Sequence, residues 1–429
     1  MQKKCAGAAA IVSAVLVLSL GAPASVDKTM DVNIKAAAAD IVPGLISIRR
    51  DIHAHPELGM REKRTSALVA DHFRKLGLEV RTGIGGTGVM GILRGGKPGR
   101  VVMMRGDMDA LPITEETPVP FASKEKATVD GRETGVMHAC GHDVHTTMLI
   151  GVAEVLSRFK DRLPGTVLFI AQPGEEWGEG ALAMIQDGVF KDISPEAAFA
   201  FHVDESLKAG DVHYASGYLG ANVDGFTLVI KSAGGHGAHP SACVDPIVVG
   251  AQIVLDLQVM IARQLDVHND TVITVGAFHA GSASNVIPRE ATLKATVRTY
   301  GDQQQALVKE KVTRLVAGAC AAAGAEYALD YYFGTPALYN DPKLVDRIMP
   351  TMKRFLGESH MFMDSPGMGG EDFSRFAKLA PGVMLNLGVL PKDVAKMSLH
   401  SPTFIVDEAA IPVGVGLMSA VIWDYLANK

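Results

Sequence analysis

Val101-Val102-Met103-Met104-Arg105-Gly106-Asp107 sets the architecture of this chain. Four apolar residues lie between Arg100 and a polar Arg-Gly-Asp step, with no apolar–polar alternation. Such a run fits a strand covered on both faces. Residues 166–171 and 197–201 read the same way. Around them the apolar spacing becomes helical, at Val69, Phe73 and Leu76 before Gly77, and at Met148, Val152, Leu156 and Phe159. A glycine just past the last apolar position is a usual helix stop. Alternating strands and helices predict an α/β domain, a mixed sheet with helices on both faces. A strand at 383–387 and a closing helix at 409–426 return to it.

The section from 216 to 332 has a different order. It reads strand (226–231), helix (246–264), strand (271–278), strand (291–300), helix (303–323), strand (327–332). That is the ferredoxin-like βαββαβ unit. With 429 residues the chain exceeds what one core usually supports, so two domains are expected. The expected division is 1–24 a signal peptide, 25–40 a linker or frayed first helix, 41–215 with 333–429 one domain, and 216–332 an insertion.

The N-terminus reads as an address. Lys3 and Lys4 precede an apolar run from Ala6 to Leu20, then Ala22-Pro23-Ala24. This pattern predicts export, periplasmic or secreted, with cleavage near Ala24. The run is too short for a span, so no stable membrane anchor is expected. A net charge of -6 without a dense basic run argues against a nucleic-acid partner. Beyond Cys5, three cysteines remain, Cys140, Cys243 and Cys320, an odd number that speaks against a disulfide framework. A Cys243–Cys320 bridge stays open at this level.

The densest chemistry is His138-Ala139-Cys140-Gly141-His142-Asp143-Val144-His145, four potential metal ligands and a carboxylate in eight residues. Thiolate and imidazole suit zinc and similar divalent metals. Next comes Gln172-Pro173-Gly174-Glu175-Glu176-Trp177, following a predicted strand. Adjacent side chains in extended backbone point to opposite sides. One carboxylate can therefore bind metal while the other moves a proton, although Glu-Glu at a turn is also a common solvated pair. His202 follows the 197–201 strand, and open α/β sheets build sites beyond strand carboxyl ends. His400, alone in a loop, reads by itself more readily as surface than as a ligand. In the insertion, Gly234-Gly235-His236-Gly237-Ala238-His239-Pro240 can bring backbone and a histidine close to an oxyanion. Asn285 and Arg298 add an amide and a guanidinium suited to a carboxylate.

Together these stretches resemble the di-metal aminoacylase and carboxypeptidase G family of metallopeptidases. The branch looks like the amino-acid-conjugate amidohydrolases, such as hippurate and indole-acetyl-amino-acid hydrolases. The resemblance rests also on 50–57, 105–112, 285–288 and Gly370-Glu371-Asp372-Phe373, in the expected order from about residue 41 onward. It implies metal ligands Cys140, His142, Glu176, His202 and His400, with Cys140 bridging two divalent ions (zinc, manganese, cobalt or nickel) per subunit. It implies Glu175 as general base and acid, His236 on the tetrahedral intermediate, and Asn285 and Arg298 on the substrate. The insertion becomes a lid and dimerisation domain, with a homodimer that lets His236 act across the interface. The expected substrate is a small N-acyl or N-aroyl amino acid, or else a short peptide in a carboxypeptidase or dipeptidase. Ser241 and His239 depart from the family pattern, which bears on the acyl side. A metal- or ligand-binding protein without turnover is the third reading, against which Glu175 speaks.

Overall fold

The computed structural model describes residues 28–428, so the signal peptide expected at 1–24 lies outside the described residues. An eight-stranded mixed sheet forms the first domain. Its order is Glu79–Ile84, Gly88–Arg94, Pro164–Gln172, Lys97–Asp107, Ala197–Lys208, Gly382–Leu390, Val212–Tyr214, Met361–Met363. The central four run parallel. Their carboxyl ends therefore open on one rim, where Asp107, Gln172 and His202 arrive together.

The apolar runs are buried on both faces, as their lack of alternation requires. Val102, Met104, Val167 and Phe169 face a core built with helices Lys28–Ala54, His142–Arg158 and Ala410–Ala427. Their neighbours Met103, Leu168 and Ile170 face the other side, under Gly180–Gln186 and Phe373–Ala377. The period of two along each strand assigns every residue to one layer.

One expectation is corrected and one open question is answered. Residues 28–40 are the first turns of the Lys28–Ala54 helix and no linker, since Met30, Ile34 and Ala38 are buried in the core. Cys243 and Cys320 are both free: Cys320 lies in the core of the insertion and Cys243 is partly exposed.

The insertion is a four-stranded antiparallel sheet in the order Thr271–Ala280, Glu290–Thr299, Asn222–Lys231, Glu326–Thr335. Its last strand runs three residues past 332, the boundary expected from sequence. Helices Pro246–Gln264 and Gly301–Ala323 bury Ile253, Leu257, Val308 and Val312 against Phe226, Leu228 and Leu293. Strand and helix order match the ferredoxin-like unit. Two described helices are long and apolar enough to cross a membrane, Pro246–Gln264 and Ala410–Ala427. The second is almost wholly buried and the first packs one face on its sheet, as core helices do.

Candidate active site

Four loops meet at the carboxyl rim of the sheet. The first leaves the Lys97–Asp107 strand and carries Asp109. The second, Ala139–Gly141, leads into the His142–Arg158 helix. Gly141 has φ +78°, and a Cβ there would lie 2.6 Å from Val203 Cγ2. Only glycine allows this turn, which lets Cys140 and His142 face one point. The third is the Gly174–Trp177 turn. The fourth carries His400, whose φ of +59° is rare for a residue with a side chain. Its N–H donates to the Ala139 carbonyl at 2.8 Å, which holds it against the second loop.

These loops assemble two overlapping ligand groups, Cys140–His142–His202 and Cys140–Glu176–His400, the donor atoms of each lying within 4.8 Å of one another. Cys140 belongs to both. Its sulfur lies 3.5 Å from His202 Nε2 and 3.4 Å from His400 Nε2. His400 Nε2 is also 3.2 Å from Glu176 Oε1. All five residues that the resemblance nominated are thus brought together. His202, expected beyond the end of its strand, lies inside it, because the strand continues to Lys208 after leaving the core.

Hydrogen bonds fix which atoms face the centre. His142 Nδ1 donates to Asp109 Oδ1 at 3.1 Å, and His202 Nδ1 to the Val203 carbonyl at 2.8 Å, so both leave Nε2 free for a ligand role. Asp109 Oδ2 accepts from the Glu176 N–H at 3.0 Å, holding a second member of the cluster. His145 is excluded as a ligand. Its Nδ1 donates to Asp107 at 2.7 Å and its Nε2 accepts from the Val203 N–H at 2.8 Å. His138 is fully buried apart from the two groups, and burial drives its pKa down to about 3.

The donor set fits divalent cations. His142 Nε2 is buried without a hydrogen-bond partner, a costly condition that a bound ion relieves. Although burial alone would lower the His142 pKa, Asp107, Asp109 and Cys140 raise it well above the usual value. The field at this point therefore favours added positive charge. Burial pushes the Cys140 thiol up, so a nearby cation is what would make it a thiolate.

Glu175 belongs to neither Cys140-containing group but lies beside them, within 4.8 Å of donor atoms of His142 and Glu176, and its other neighbours are Glu371 and Asp372. Burial and these two carboxylates push its pKa well above the usual range, with His142 and Arg105 opposing. Behind them lies a fully buried Arg105. It donates to Gln172 at 2.8 Å and to Glu371 at 2.7 Å, and it pairs with Asp107 and Asp372. Asp107, Asp109, Arg105 and Glu371 received no individual role from the sequence, where they stood as members of matching stretches. Their placement beyond a strand end was the signal available for the aspartates. A buried arginine has no local signal.

The insertion residues stand elsewhere. His236 is exposed on a two-residue strand paired with Val286–Ile287, and Gly237 N–H donates to the Asn285 carbonyl at 2.8 Å, so both sit on one short antiparallel ladder. Arg298 is half-buried and bonds back to Thr296 and the Val297 carbonyl. Among the described residues, no hydrogen bond or ion pair joins His236, Asn285 or Arg298 to the ligand groups.

An α/β sheet with a two-part cluster of Cys, His and Glu at its carboxyl rim, and a free carboxylate beside it, defines a metal-dependent hydrolase. The comparisons agree: residues 103–424 match the profile described as Peptidase family M20/M25/M40, and the chain belongs to that family. It is 36% identical to thermostable carboxypeptidase 1 of Saccharolobus solfataricus, over 92% of this chain and 98% of that protein. It is 35% identical to IAA-amino acid hydrolase ILR1-like 2 of Arabidopsis thaliana, over 92% and 88%. A solved structure, the Bacillus subtilis YXEP protein, described as a dinuclear metal binding peptidase of the same family, superposes with a TM-score of 0.78 at 31% identity. That match covers 91% of this chain and all of the other. Membership sets aside the reading of a binding protein without turnover.

Proposed function

We propose that this protein hydrolyses the amide bond of N-acyl or N-aroyl amino acids, releasing a carboxylic acid and an amino acid. The observation that carries the reading is the division at the Gly174 turn. Glu176 shares a ligand group with Cys140 and His400, while Glu175, next in the chain, belongs to neither Cys140-containing group and lies between His142 and Glu176 on one side and Glu371 and Asp372 on the other. Cys140, His142 and His202 would hold one divalent ion, and Cys140, Glu176 and His400 a second. The ions supply Lewis acidity and activate water at neutral pH.

Glu175 takes a proton from the attacking water and later delivers it to the leaving amine, a two-way role open to one carboxylate. His236 donates to the oxyanion that develops on the carbonyl. Asn285, beside it on the same ladder, and Arg298 orient the substrate, the guanidinium on its free carboxylate.

The insertion serves as lid and dimerisation surface. Val248, Leu255 and Val259 form an apolar line along the outer face of Pro246–Gln264, each more than half exposed. The Thr271–Ala280 strand beside that helix is a sheet edge. An apolar helix face next to an open edge suits a second copy related by a two-fold axis. We assign the protein to an exported compartment on the strength of residues 1–24.

A carboxypeptidase on the same scaffold is the second reading, favoured by the similarity to the Saccharolobus protein. Metal-reconstituted protein tested on hippurate-like conjugates and on dipeptides separates the two. Higher kcat/KM on the conjugates is expected, and a preference for dipeptides would overturn the substrate assignment. Activity should vanish with a chelator and return with Zn²⁺, Mn²⁺, Co²⁺ or Ni²⁺.

Cys140 gives a test independent of turnover. A thiolate between two ions is shielded from alkylation, so peptide mapping should find Cys140 unlabelled in the loaded protein and labelled after chelation. Equal labelling in both states would remove it from the ligand set. Partly exposed Cys243 serves as the internal control, labelled in both.

A further inference from the structure

Glu62 takes no part in the chemistry described so far, yet it is fully buried within reach of the site. It precedes the Lys63–Lys75 helix, at the end of a loop that starts at Glu57. Its Oε1 accepts the N–H of Met60 at 2.9 Å and the N–H of Gly174 at 2.8 Å. Its Oε2 accepts the Thr87 hydroxyl at 2.6 Å. A buried carboxylate with every listener satisfied inside the protein is held by geometry, and it holds its donors in return.

The donor that matters is Gly174. It begins the turn bearing Glu175 and Glu176 and has φ +56°. A Cβ there would stand 2.6 Å from Met60 Sδ, so loop and turn pack without a gap. Met60 itself has φ +62°, an uncommon backbone state for a residue with a side chain, kept in place by its bond to Glu62. The Trp177 ring lies directly against Gly59. The same loop also docks on the first site loop, where the Ala110 N–H donates to the Glu57 carbonyl at 2.8 Å. Asp109 holds the Glu176 N–H from a second side.

We propose that Glu62 is a positioning residue, a carboxylate clamp that fixes the Gly174 N–H and with it the direction of the Glu175 side chain. The proposal rests on the acid–base reading of Glu175. Loss of the clamp lets the turn relax by a fraction of an ångström, which affects proton transfer before it affects binding. Misplacement by about 1 Å can cost on the order of 10²-fold in rate.

The test compares Glu62→Ala, Glu62→Gln and Glu175→Gln as metal-loaded holoenzymes, reading kcat, KM and metal content per folded protein. Glu62→Ala is expected to lower kcat by about 10²-fold with KM and metal content little changed. Glu62→Gln keeps an acceptor for both N–H groups and should recover most of kcat, even if the alanine variant folds poorly. Emission of Trp177 should shift in the alanine variant and stay in place in the glutamine variant. A Glu62→Ala enzyme with full kcat, a loss that merely follows metal content, or a Gln variant as impaired as Ala would each overturn the clamp. Inactive Glu175→Gln beside fully active Glu62→Ala refutes the clamp alone, whereas an active Glu175→Gln refutes the reading of Glu175 on which it stands.

Discussion

Glu175→Gln keeps both metal ions and loses about 10²–10⁴-fold in kcat, the range for a removed general acid–base group. The substitution preserves size and removes only the ability to carry a proton. Glu175 borders His142 and Glu176 but is a member of neither Cys140-containing ligand group, both of which the substitution leaves intact, so metal content should not fall. Burial and the carboxylates of Glu371 and Asp372 raise its proton affinity, which suits a group that must both accept and return a proton. Glu176→Gln behaves in the opposite way. Burial alone would raise the Glu176 pKa, but the bond from His400 and the charge of His142 hold it low, as a ligand oxygen requires. That variant should lose metal. Metal analysis and initial rates on the two variants check the division, and full metal in Glu176→Gln or a near-normal rate in Glu175→Gln would undo it.

His236→Ala should lower kcat by roughly 10²–10³-fold, as the loss of an oxyanion donor does. The structure leaves His236 exposed, with the Ala238 N–H on its Nδ1 at 3.0 Å and the His239 ring nearby, and among the described residues no hydrogen bond or ion pair joins it to the ligand groups of its own chain. Subunit exchange distinguishes action across a dimer from action within the chain. When His236→Ala and Glu175→Gln are mixed, a hybrid dimer pairs the intact Glu175 of one subunit with the intact His236 of the other. One complete site per hybrid should restore activity well above either parent. Measurable exchange without recovery would confine His236 to its own chain, and a monomeric protein at working concentration would exclude the trans arrangement at once.

Local pattern carried much of this molecule. Unbroken apolar runs located the central strands, because burial on both faces leaves no alternation to misread. The Pro246–Gln264 helix and the order of the insertion were legible for the same reason, each element being long and periodic. The hairpin of Glu79–Ile84 and Gly88–Arg94 was not, since Gly83, Gly85, Gly86, Gly88 and Gly91 dilute its pattern. Residues 36–39 resembled a linker by composition, and packing of the neighbouring Ile34 and Leu45 makes them helix.

At the site, residue type nominated His138, Cys140, His142 and His145 alike. The choice among them depends on partners distant in sequence: Asp109 for His142, Asp107 and the Val203 N–H for His145. His400 had no local distinction at all and acquires its place through Cys140 and Glu176. Family resemblance supplied what periodicity could not, and only for positions within its motifs. Glu62 and Arg105 act through non-local contacts with Gly174 and Glu371, which no spacing rule encodes.

The sharing of Cys140 between two ligand groups has a consequence for how the centre is assembled. One group closes a span of 62 residues, from Cys140 to His202, whereas the other must bring His400 back across 260. The longer closure costs about 1 kcal/mol more chain entropy, a modest difference. The larger effect is on what each half depends on. The first group draws its ligands from one stretch, residues 140–202, whereas the second also needs the segment carrying His400. The strand of His202 pairs with Gly382–Leu390, which lies just before that segment. A change that loosens the carboxyl-terminal strand therefore strikes both halves of the centre, one through its sheet neighbour and the other through its ligand.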